Sequence, residues 1–239
     1  MSQRSSIDPY ELNKFNKTSE EWWDKAGEFK MLHEINPIRV DYINSVVKKH
    51  FATDNISGLK LIDIGCGGGI VCGALVELGL DITGLDANTQ NIESATEYAK
   101  KNNLNIEYIN ATVEEHIKTH KTYDVVLCLE VIEHVANPEE FVINVSRLVA
   151  NGGILIFSTL NRTIKSYACA IIMAEYVLGW IPKQTHKYSK FVRPSEFARM
   201  LQDTNLQLQE LKGLSFDLSS QKWQLSDDIG VNYFAVFIK

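Results

Sequence analysis

The chain has 239 residues, of which 45% are hydrophobic and 23% are charged, so it holds enough apolar side chains for one sizeable core in a single domain, residues 1–239. A formal net charge of −6 argues against a nucleic-acid partner, because phosphate backbones attract basic surfaces. No secretory signal and no apolar run long enough to span a bilayer are found, so we expect a cytoplasmic protein. Its four cysteines are expected to be reduced and buried: Cys66, Cys72, Cys128 and Cys169.

The first 55 residues are predicted to form a helical segment. Apolar residues recur at helical spacing over Glu21–His33 and again over Asn36–Phe51. Pro37 stands where a proline is tolerated, in the first turn of the second stretch. Two helices are therefore predicted before the first strand.

From Leu59 onward, short apolar runs alternate with stretches of helical length, a rhythm typical of buried parallel strands joined by crossover helices. Asn137 and Pro138 predict the start of a helix over Glu139–Val149, which should stop before the glycines at 152 and 153. The predicted parallel strands are Lys60–Ile64, Asp81–Leu85, Asn105–Ile109, Asp124–Leu129 and Gly153–Ser158.

The C-terminal region contains two further strand-like runs, Leu206–Phe216 and Val231–Ile238, joined by a polar loop without a crossover helix. They predict an antiparallel hairpin at the edge of the sheet. The expected fold class is therefore α/β, a doubly wound Rossmann-like sheet of seven strands, mostly parallel, preceded by helices.

An insertion at residues 161–194, after the fifth strand, breaks this rhythm. Its apolar residues at 168–181 run nearly all round a helix, which is typical of a buried core helix. The alternative is a lid that contacts a hydrophobic substrate or a membrane surface. Its place beyond the carboxyl end of a strand favours the lid.

The first predicted strand ends in a glycine-rich loop at residues 65–69, which lets a ligand approach the backbone closely. A dinucleotide fingerprint that starts at Gly65 would need a glycine where Ile70 stands. Asp63, just before the loop, would repel phosphate and attract an ammonium or sulfonium. Asp86 ends the second strand, where it can accept hydrogen bonds from ribose hydroxyls. The pattern favours S-adenosylmethionine over NAD.

Several motifs, taken in order, resemble those of class I S-adenosylmethionine-dependent methyltransferases and, more narrowly, of the ubiquinone biosynthesis O-methyltransferases. The resemblance covers the chain from about Trp22 to its end. The motifs include WWD at 22–24, GEFK at 27–30, INPIR at 35–39, DIGCGGGI at 63–70, GLD at 84–86, TVEEH at 112–116, EVIEHV at 130–135, FSTLNR at 157–162 and PKQTHKYSKFVRPSE at 182–196.

The resemblance implies roles for individual residues. Gly65, Asp86 and Leu129 would line the cofactor pocket, with Gly67 in the same loop, and Arg39 would pair with the carboxylate of the cofactor. Adenine recognition is left open between two groups, the backbone of Val113 and the side chain of Glu114.

Glu130, Glu133 and His134 follow the fourth predicted strand. In a helical turn these positions share one face, so the three side chains could hold Mg²⁺ or another divalent cation. A bound cation would help to deprotonate a phenol. Without a cation, His134 would serve as the general base, or His186 in the insertion. The alternative is that these residues only cap and solvate the start of a helix.

The resemblance implies O-methylation of a polyprenylated phenol or catechol, of the demethylubiquinol type, in ubiquinone biosynthesis. Such a substrate resides in a bilayer, so peripheral binding at the cytoplasmic face of a membrane and association with other ubiquinone-synthesis enzymes are expected. Lysines at 183, 187 and 190 beside the apolar insertion suit an anionic surface. Three alternatives remain: an O- or N-methyltransferase for another small aromatic compound, an NAD-type oxidoreductase, and a non-catalytic nucleoside-binding module.

Overall fold

One mixed sheet organises the computed structural model, which describes residues 21–169, 171, 187–217 and 220–239. The described strands are β1 Lys60–Ile64, β2 Asp81–Asp86, β3 Glu107–Asn110, β4 Tyr123–Leu129, β5 Val149–Leu160, β6 Gln207–Asp217, β7 Lys222–Ser226 and β8 Asn232–Ile238. The described α-helices are α1 Lys30–His50, α2 Ile70–Leu75, α3 Thr89–Lys101, α4 Val113–His116, α5 Pro138–Arg147, α6 Ile164–Ser166 and α7 Pro194–Met200.

The strand order is β3-β2-β1-β4-β5-β8-β6-β7. Parallel pairing joins β1 to β2 and β4, β2 to β3, and β4 to β5, whereas β8 runs antiparallel to β5 and β6. The doubly wound α/β class is thus confirmed. One part of the prediction was wrong. The segment between the last two predicted strands is not only a polar loop, because it contains β7, an eighth strand that pairs with β6. The sequence did not indicate β7 as a strand because most of its side chains are polar.

Successive residues of β1 point to opposite layers, as the pleat of a strand requires. Leu61 belongs to a core formed with α1, α2 and α3, and Ile62 belongs to a second core formed with α4, α5 and α7. Helices therefore cover both faces of the parallel part of the sheet. This double cover explains why the parallel strands read as continuous apolar runs.

Over residues 21–55, the described part of the N-terminal segment, the structure has one long helix, α1, where two helices were predicted. Pro37 lies inside α1, and residues 21–29 form turns instead of a helix. A proline in a helix interior costs about 3 kcal/mol. Full burial of Ile43 and Val47 on the same helix offsets this cost.

The helix α5 begins as predicted, with the side chain of Asn137 accepting a hydrogen bond from the backbone N–H of Glu140. It ends at Arg147, two residues earlier than predicted, and Val149 already begins β5. Gly152 therefore lies inside the strand. A register shift between β4 and β5 accommodates the extra residues at this end of the sheet.

The cysteine prediction is confirmed at three positions and wrong at the fourth. Cys66, Cys72 and Cys128 are buried free thiols, but Cys169 is exposed. It lies in the insertion, where α6 also exposes 85% of Ile164. Most of the apolar stretch at 168–181, and His186, fall outside the described residues. In the part of the chain that the structure covers, no helix has the length and hydropathy needed to cross a bilayer.

Candidate functional site

The site lies at the topological switch point of the sheet, where the strand order reverses on either side of β1. β1 is flanked by β2 on one side and β4 on the other, and the carboxyl ends of these three parallel strands meet at one edge. Crevices at such switch points bind the ligands of doubly wound proteins. Asp63, Asp86 and Leu129 stand at the ends of the three strands, so the fold brings these predicted residues to the same edge.

The glycine loop is held in a conformation that few other residues adopt. Gly65 and Gly67 have φ angles of +71° and +54°, in the left-handed region. A Cβ atom on Gly65 would lie 2.4 Å from Cγ2 of Val131, so even an alanine would force a shift. The backbone N–H of Gly65 donates to the carbonyl of Leu85 at 2.7 Å and thereby ties the loop to β2. The loop is a pre-formed cradle.

Asp86 is linked directly to this loop. One carboxylate oxygen accepts a hydrogen bond from the N–H of Gly67 at 2.9 Å, and the other accepts one from the N–H of Asn88 at 2.7 Å. Burial raises the pKa of Asp86, and these N–H donors oppose the rise. Each carboxylate oxygen retains acceptor capacity for a ligand hydroxyl.

Asp63 is 3% exposed and accepts a hydrogen bond from the thiol of Cys72 at 3.4 Å. Burial raises the pKa of Asp63 to about 7, although the Cys72 hydrogen bond and the charge of Arg39 act in the opposite direction. A positively charged ligand beside this carboxyl group would favour its ionised form.

Arg39 reaches the site from α1 and is 6% exposed. A terminal guanidinium nitrogen lies 3.7 Å from Oε1 of Glu130, and the charge also interacts with those of Asp63 and Glu133. Its Nε is buried and has no hydrogen-bond acceptor. A buried guanidinium with an unused N–H group suits a ligand carboxylate, which can accept two parallel hydrogen bonds from arginine.

Two carboxyl groups follow β4. Glu130 has a φ angle of +55° and accepts a hydrogen bond from the hydroxyl of Ser158 at 2.8 Å. Glu133 is 4% exposed and accepts a hydrogen bond from Thr159 at 2.9 Å, while its other oxygen, Oε1, is buried without a partner. Burial and the charge of Glu130 raise the pKa of Glu133 well above its ordinary value.

The structure does not bring Glu130, Glu133 and His134 together as the predicted three-ligand metal site. Among the residues described, no group of three or more histidine, cysteine, aspartate or glutamate side chains is arranged to hold an ion. The prediction assumed one α-helical turn that starts at Glu130. Instead, Glu130 adopts a left-handed conformation, and only Ile132–His134 form a short 3-10 turn.

The surroundings of Glu114 favour its side chain over the backbone of Val113 as the group that recognises adenine. The residue is 6% exposed, and neither of its carboxylate oxygens accepts a hydrogen bond. It lies in the first turn of α4, directly after a loop in which the N–H of Ala111 donates to the carbonyl of Asp86. An unsatisfied buried carboxylate is costly, which favours a role in ligand binding.

Sequence reasoning missed three residues that shape the site. Ser158 and Thr159, near the end of β5, hold the two carboxyl groups of Glu130 and Glu133. Their signal was available, since they are adjacent hydroxyl residues at the end of an otherwise apolar strand. Trp22, whose ring lies against the glycine loop, was indicated only by the WWD motif of the family resemblance, which assigned it no role.

Comparisons with known proteins show which sequences and folds this chain is similar to. Residues 31–211 match a family described as a methyltransferase domain. The chain is 52% identical over 230 residues to the ubiquinone biosynthesis O-methyltransferase of Rickettsia prowazekii (strain Madrid E), covering 96% of this chain and 90% of that protein. Identity is also 52% over 230 residues with the enzyme of the same name from Rickettsia typhi (strain ATCC VR-144 / Wilmington), covering 96% and 92%.

Solved structures with the same fold are more distant in sequence. A magnesium protoporphyrin IX methyltransferase from Synechocystis PCC 6803 with bound S-adenosylhomocysteine (SAH) has a TM-score of 0.66 at 16% identity, with 96% of both chains covered. A plantazolicin methyltransferase in complex with a monoazolic desmethylPZN analogue and SAH has a TM-score of 0.66 at 17% identity, again with 96% of both chains covered. At these identities the likeness supports the fold.

Proposed function

The chain belongs to the family of ubiquinone biosynthesis O-methyltransferases, and from this premise we propose that it methylates a ring hydroxyl of a polyprenylated phenol or catechol. The methyl donor is S-adenosylmethionine. The observation that carries the proposal is the meeting of a buried guanidinium, a buried carboxyl group and a glycine cradle at one switch point: Arg39, Asp63 and Gly65–Gly67.

The residues of the crevice fit the donor. When bound, S-adenosylmethionine supplies a methyl group on a positively charged sulfur. Arg39 would hold the donor carboxylate through the N–H group that has no acceptor in the structure. Asp63 would balance the positive charge, and Asp86 would accept hydrogen bonds from the ribose hydroxyls. Leu129, which is 9% exposed, would supply an apolar wall.

The acceptor hydroxyl must lose its proton for efficient transfer, because a neutral phenol is a weak nucleophile. We propose two groups for this task. Glu130 and Glu133 form a carboxyl pair that fits a divalent cation if substrate oxygens complete its coordination, since Mg²⁺ is commonly held by one or two carboxylates plus substrate. Such a cation would lower the pKa of the bound hydroxyl. His134 would accept the proton.

Methyl transfer to a short-chain prenylated catechol tests this function. With isotopically labelled donor, we expect label on one ring oxygen and release of one SAH per transfer. A chelator should lower the rate if the carboxyl pair acts through a cation, and a rate indifferent to the chelator would remove the cation from the proposal.

Methyl transfer, SAH binding and thermal stabilisation together distinguish the rival functions. Equal kcat/KM for a catechol without the prenyl tail would favour a methyltransferase for small aromatic compounds. Binding of SAH without any transfer would leave a nucleoside-binding module, and thermal stabilisation by NADH instead of SAH would support an oxidoreductase.

Glu114 is proposed to accept a hydrogen bond from the adenine amino group of the donor. We expect Glu114→Ala to raise the KM for S-adenosylmethionine about tenfold, the usual effect of losing a hydrogen bond to a charged group. The Glu97→Ala variant is the matched control, because Glu97 is exposed on α3. Steady-state rates at varied donor concentration provide the measurement.

An inosine analogue separates this contact from a general loss of structure. In S-inosylhomocysteine a carbonyl replaces the amino group, so the carboxylate of Glu114 would repel it. The wild-type enzyme should therefore prefer SAH strongly, and Glu114→Ala should lose that preference. An unchanged preference would assign adenine recognition to the backbone of Val113.

Peripheral membrane binding is proposed for the segment that begins at α6. Ile164 and Tyr167 are 85% and 45% exposed, more than is usual for such large apolar side chains. The apolar residues at 168–181 and the lysines follow in the sequence. This composition suits an anionic interface that contains the prenylated substrate, where association with other enzymes of the pathway would also take place.

Flotation with anionic vesicles measures this binding. We expect the wild-type protein to float with vesicles at low salt, and Ile164→Glu to float several-fold less, because the substitution places a charge in the apolar contact. Leu208→Glu is the control, since Leu208 is 41% exposed on β6. Wild-type protein that stays in the soluble fraction would count against membrane binding.

A further inference from the structure

The aromatic residues that precede α1 lie against the glycine loop. The ring of Trp22 is so close to the backbone of Gly67 and Gly68 that a Cβ atom on Gly67 would lie 2.5 Å from its Cη2 atom. A Cβ atom on Gly68 would lie 2.2 Å from its Cγ atom. Only glycines at these two positions leave room for the indole.

The orientation of this indole is fixed from two sides. Its Nε1–H donates to Oδ1 of Asn91 at 2.9 Å, and its ring stacks on Phe29 with centroids 3.8 Å apart and an interplanar angle of 10°. Trp22 is 8% exposed and Asn91 is 5% exposed. A buried tryptophan with a satisfied N–H and a stacked neighbour presents a rigid apolar surface.

That surface adjoins the part of the site assigned to the ribose. Gly67, which contacts the indole, is also the residue whose N–H donates to Asp86. Asn91, which holds the indole, lies in the first turn of α3, and α3 begins directly after Asp86 and the capping residue Asn88. Trp22, Gly67 and Asp86 are therefore contiguous members of one wall.

The next tryptophan secures the loop from outside. Nε1 of Trp23 donates to the carbonyl of Gly68 at 3.0 Å, and its ring stacks on Tyr98 with centroids 3.2 Å apart. The two indoles thus have different contacts. Trp23 contacts a backbone carbonyl and a helix side chain, whereas Trp22 covers the loop backbone beside Asp86.

We propose that Trp22 is a cofactor-binding residue whose indole packs against the adenosyl part of the donor at the ribose end of the crevice. The inference rests on the proposed function, because it takes the donor to be S-adenosylmethionine. Because Trp22 is only 8% exposed, the free edge of its indole would contact the nucleoside, and the ring would shield the hydrogen bonds between Asp86 and the ribose from water. It also couples residues 21–29 to donor binding.

Titration with SAH, followed by tryptophan fluorescence and by calorimetry, tests this role. The wild-type chain and Trp223→Phe, altered on the edge strand β7, should show a clear fluorescence change on binding. In Trp22→Phe most of that change should disappear. Trp22→Ala should raise the Kd for SAH at least tenfold, with a smaller rise for Trp22→Phe, which keeps an aromatic ring. The KM for the catechol should stay within about twofold of the wild-type value.

A purely structural role predicts other results. It would lower the unfolding temperature of Trp22→Ala yet leave the Kd for SAH and the fluorescence response of Trp22→Phe at wild-type values, and that result would overturn the inference. If Trp22→Ala does not fold, Phe29→Leu keeps the indole but removes the ring stacked on it, and it should weaken SAH binding several-fold; unchanged binding would count against the inference. Wild-type protein that does not bind SAH would refute the proposed donor itself.

Discussion

Replacing Asp63 with asparagine is expected to lower kcat/KM for methyl transfer at least about a hundredfold and, at the same time, to stabilise the fold above neutral pH. Asp63 is buried and its pKa is raised to about 7, against an ordinary value of 3.8. In the native protein the carboxyl group therefore keeps its proton at pH values where the unfolded chain has lost it. Native stability falls as the pH rises from about 4 to about 7 and stays at the lower level above that.

The size of this effect follows from the pKa difference. About three pKa units correspond to an upper bound of about 4 kcal/mol of destabilisation at pH 8. Asparagine carries no charge and removes the penalty, but it also removes the attraction to Arg39. We expect a net gain of about 2 kcal/mol at pH 8 and little gain at pH 4.

Thermal unfolding at the two pH values, together with steady-state kinetics, checks this prediction. The kcat/KM of Asp63→Asn should fall at least about a hundredfold, because the charge that balances the sulfonium is lost in a site of low dielectric constant. Asp54→Asn is the control, since Asp54 is exposed in the loop after α1. A variant that is active, or less stable than the wild type at pH 8, would contradict the role given to Asp63.

The parallel part of the fold could be predicted because buried strands have a simple signature. The bounds of β1 were predicted correctly, since apolar side chains on both faces make a continuous run between polar ends. β7 lacks that signature, because an edge strand can expose polar side chains on both faces. α1 continues across Pro37 because the helix packs against the sheet. This packing cannot be predicted from the local sequence.

The candidate site likewise contains residues that the sequence predicts directly and residues that it does not. Asp63 and Asp86 lie at the carboxyl ends of β1 and β2, and the glycines follow β1 directly, so strand order alone predicts their meeting at one edge. Arg39 comes from a helix in a separate layer, and the sequence indicates it only through the family resemblance. The arrangement of Glu130 and Glu133 depends on a left-handed residue at the end of β4, which no periodicity indicates for a glutamate.

Arg39 is expected to be the most sensitive residue of the site, with separate effects on folding and on donor binding. Its positive charge interacts with the charges of Glu130, Asp63 and Glu133. Arg39→Met would leave buried carboxyl groups without this partner, which typically destabilises a fold by about 3–5 kcal/mol. The deficit should shrink as the pH falls toward 5, because protonated carboxyl groups need no counter-charge.

Arg39→Lys separates charge from geometry. Lysine keeps the positive charge, so the variant should fold nearly as well as the wild type, but it cannot form the planar pair of hydrogen bonds with a carboxylate. We expect its KM for S-adenosylmethionine to rise about a hundredfold, with a smaller change in kcat. Arg147→Lys, at an exposed position on α5, is the control.

A ligand without the amino-acid part decides whether the guanidinium contacts the donor carboxylate. Methylthioadenosine keeps the nucleoside of the donor and lacks the carboxylate, so Arg39→Lys should bind it as tightly as the wild type does. The same variant should bind SAH about a hundredfold more weakly. Equal losses for the two ligands would mean that Arg39 only supports the fold around the glycine loop, and equal retention would remove it from the site, because a carboxylate held by two hydrogen bonds cannot be indifferent to their loss.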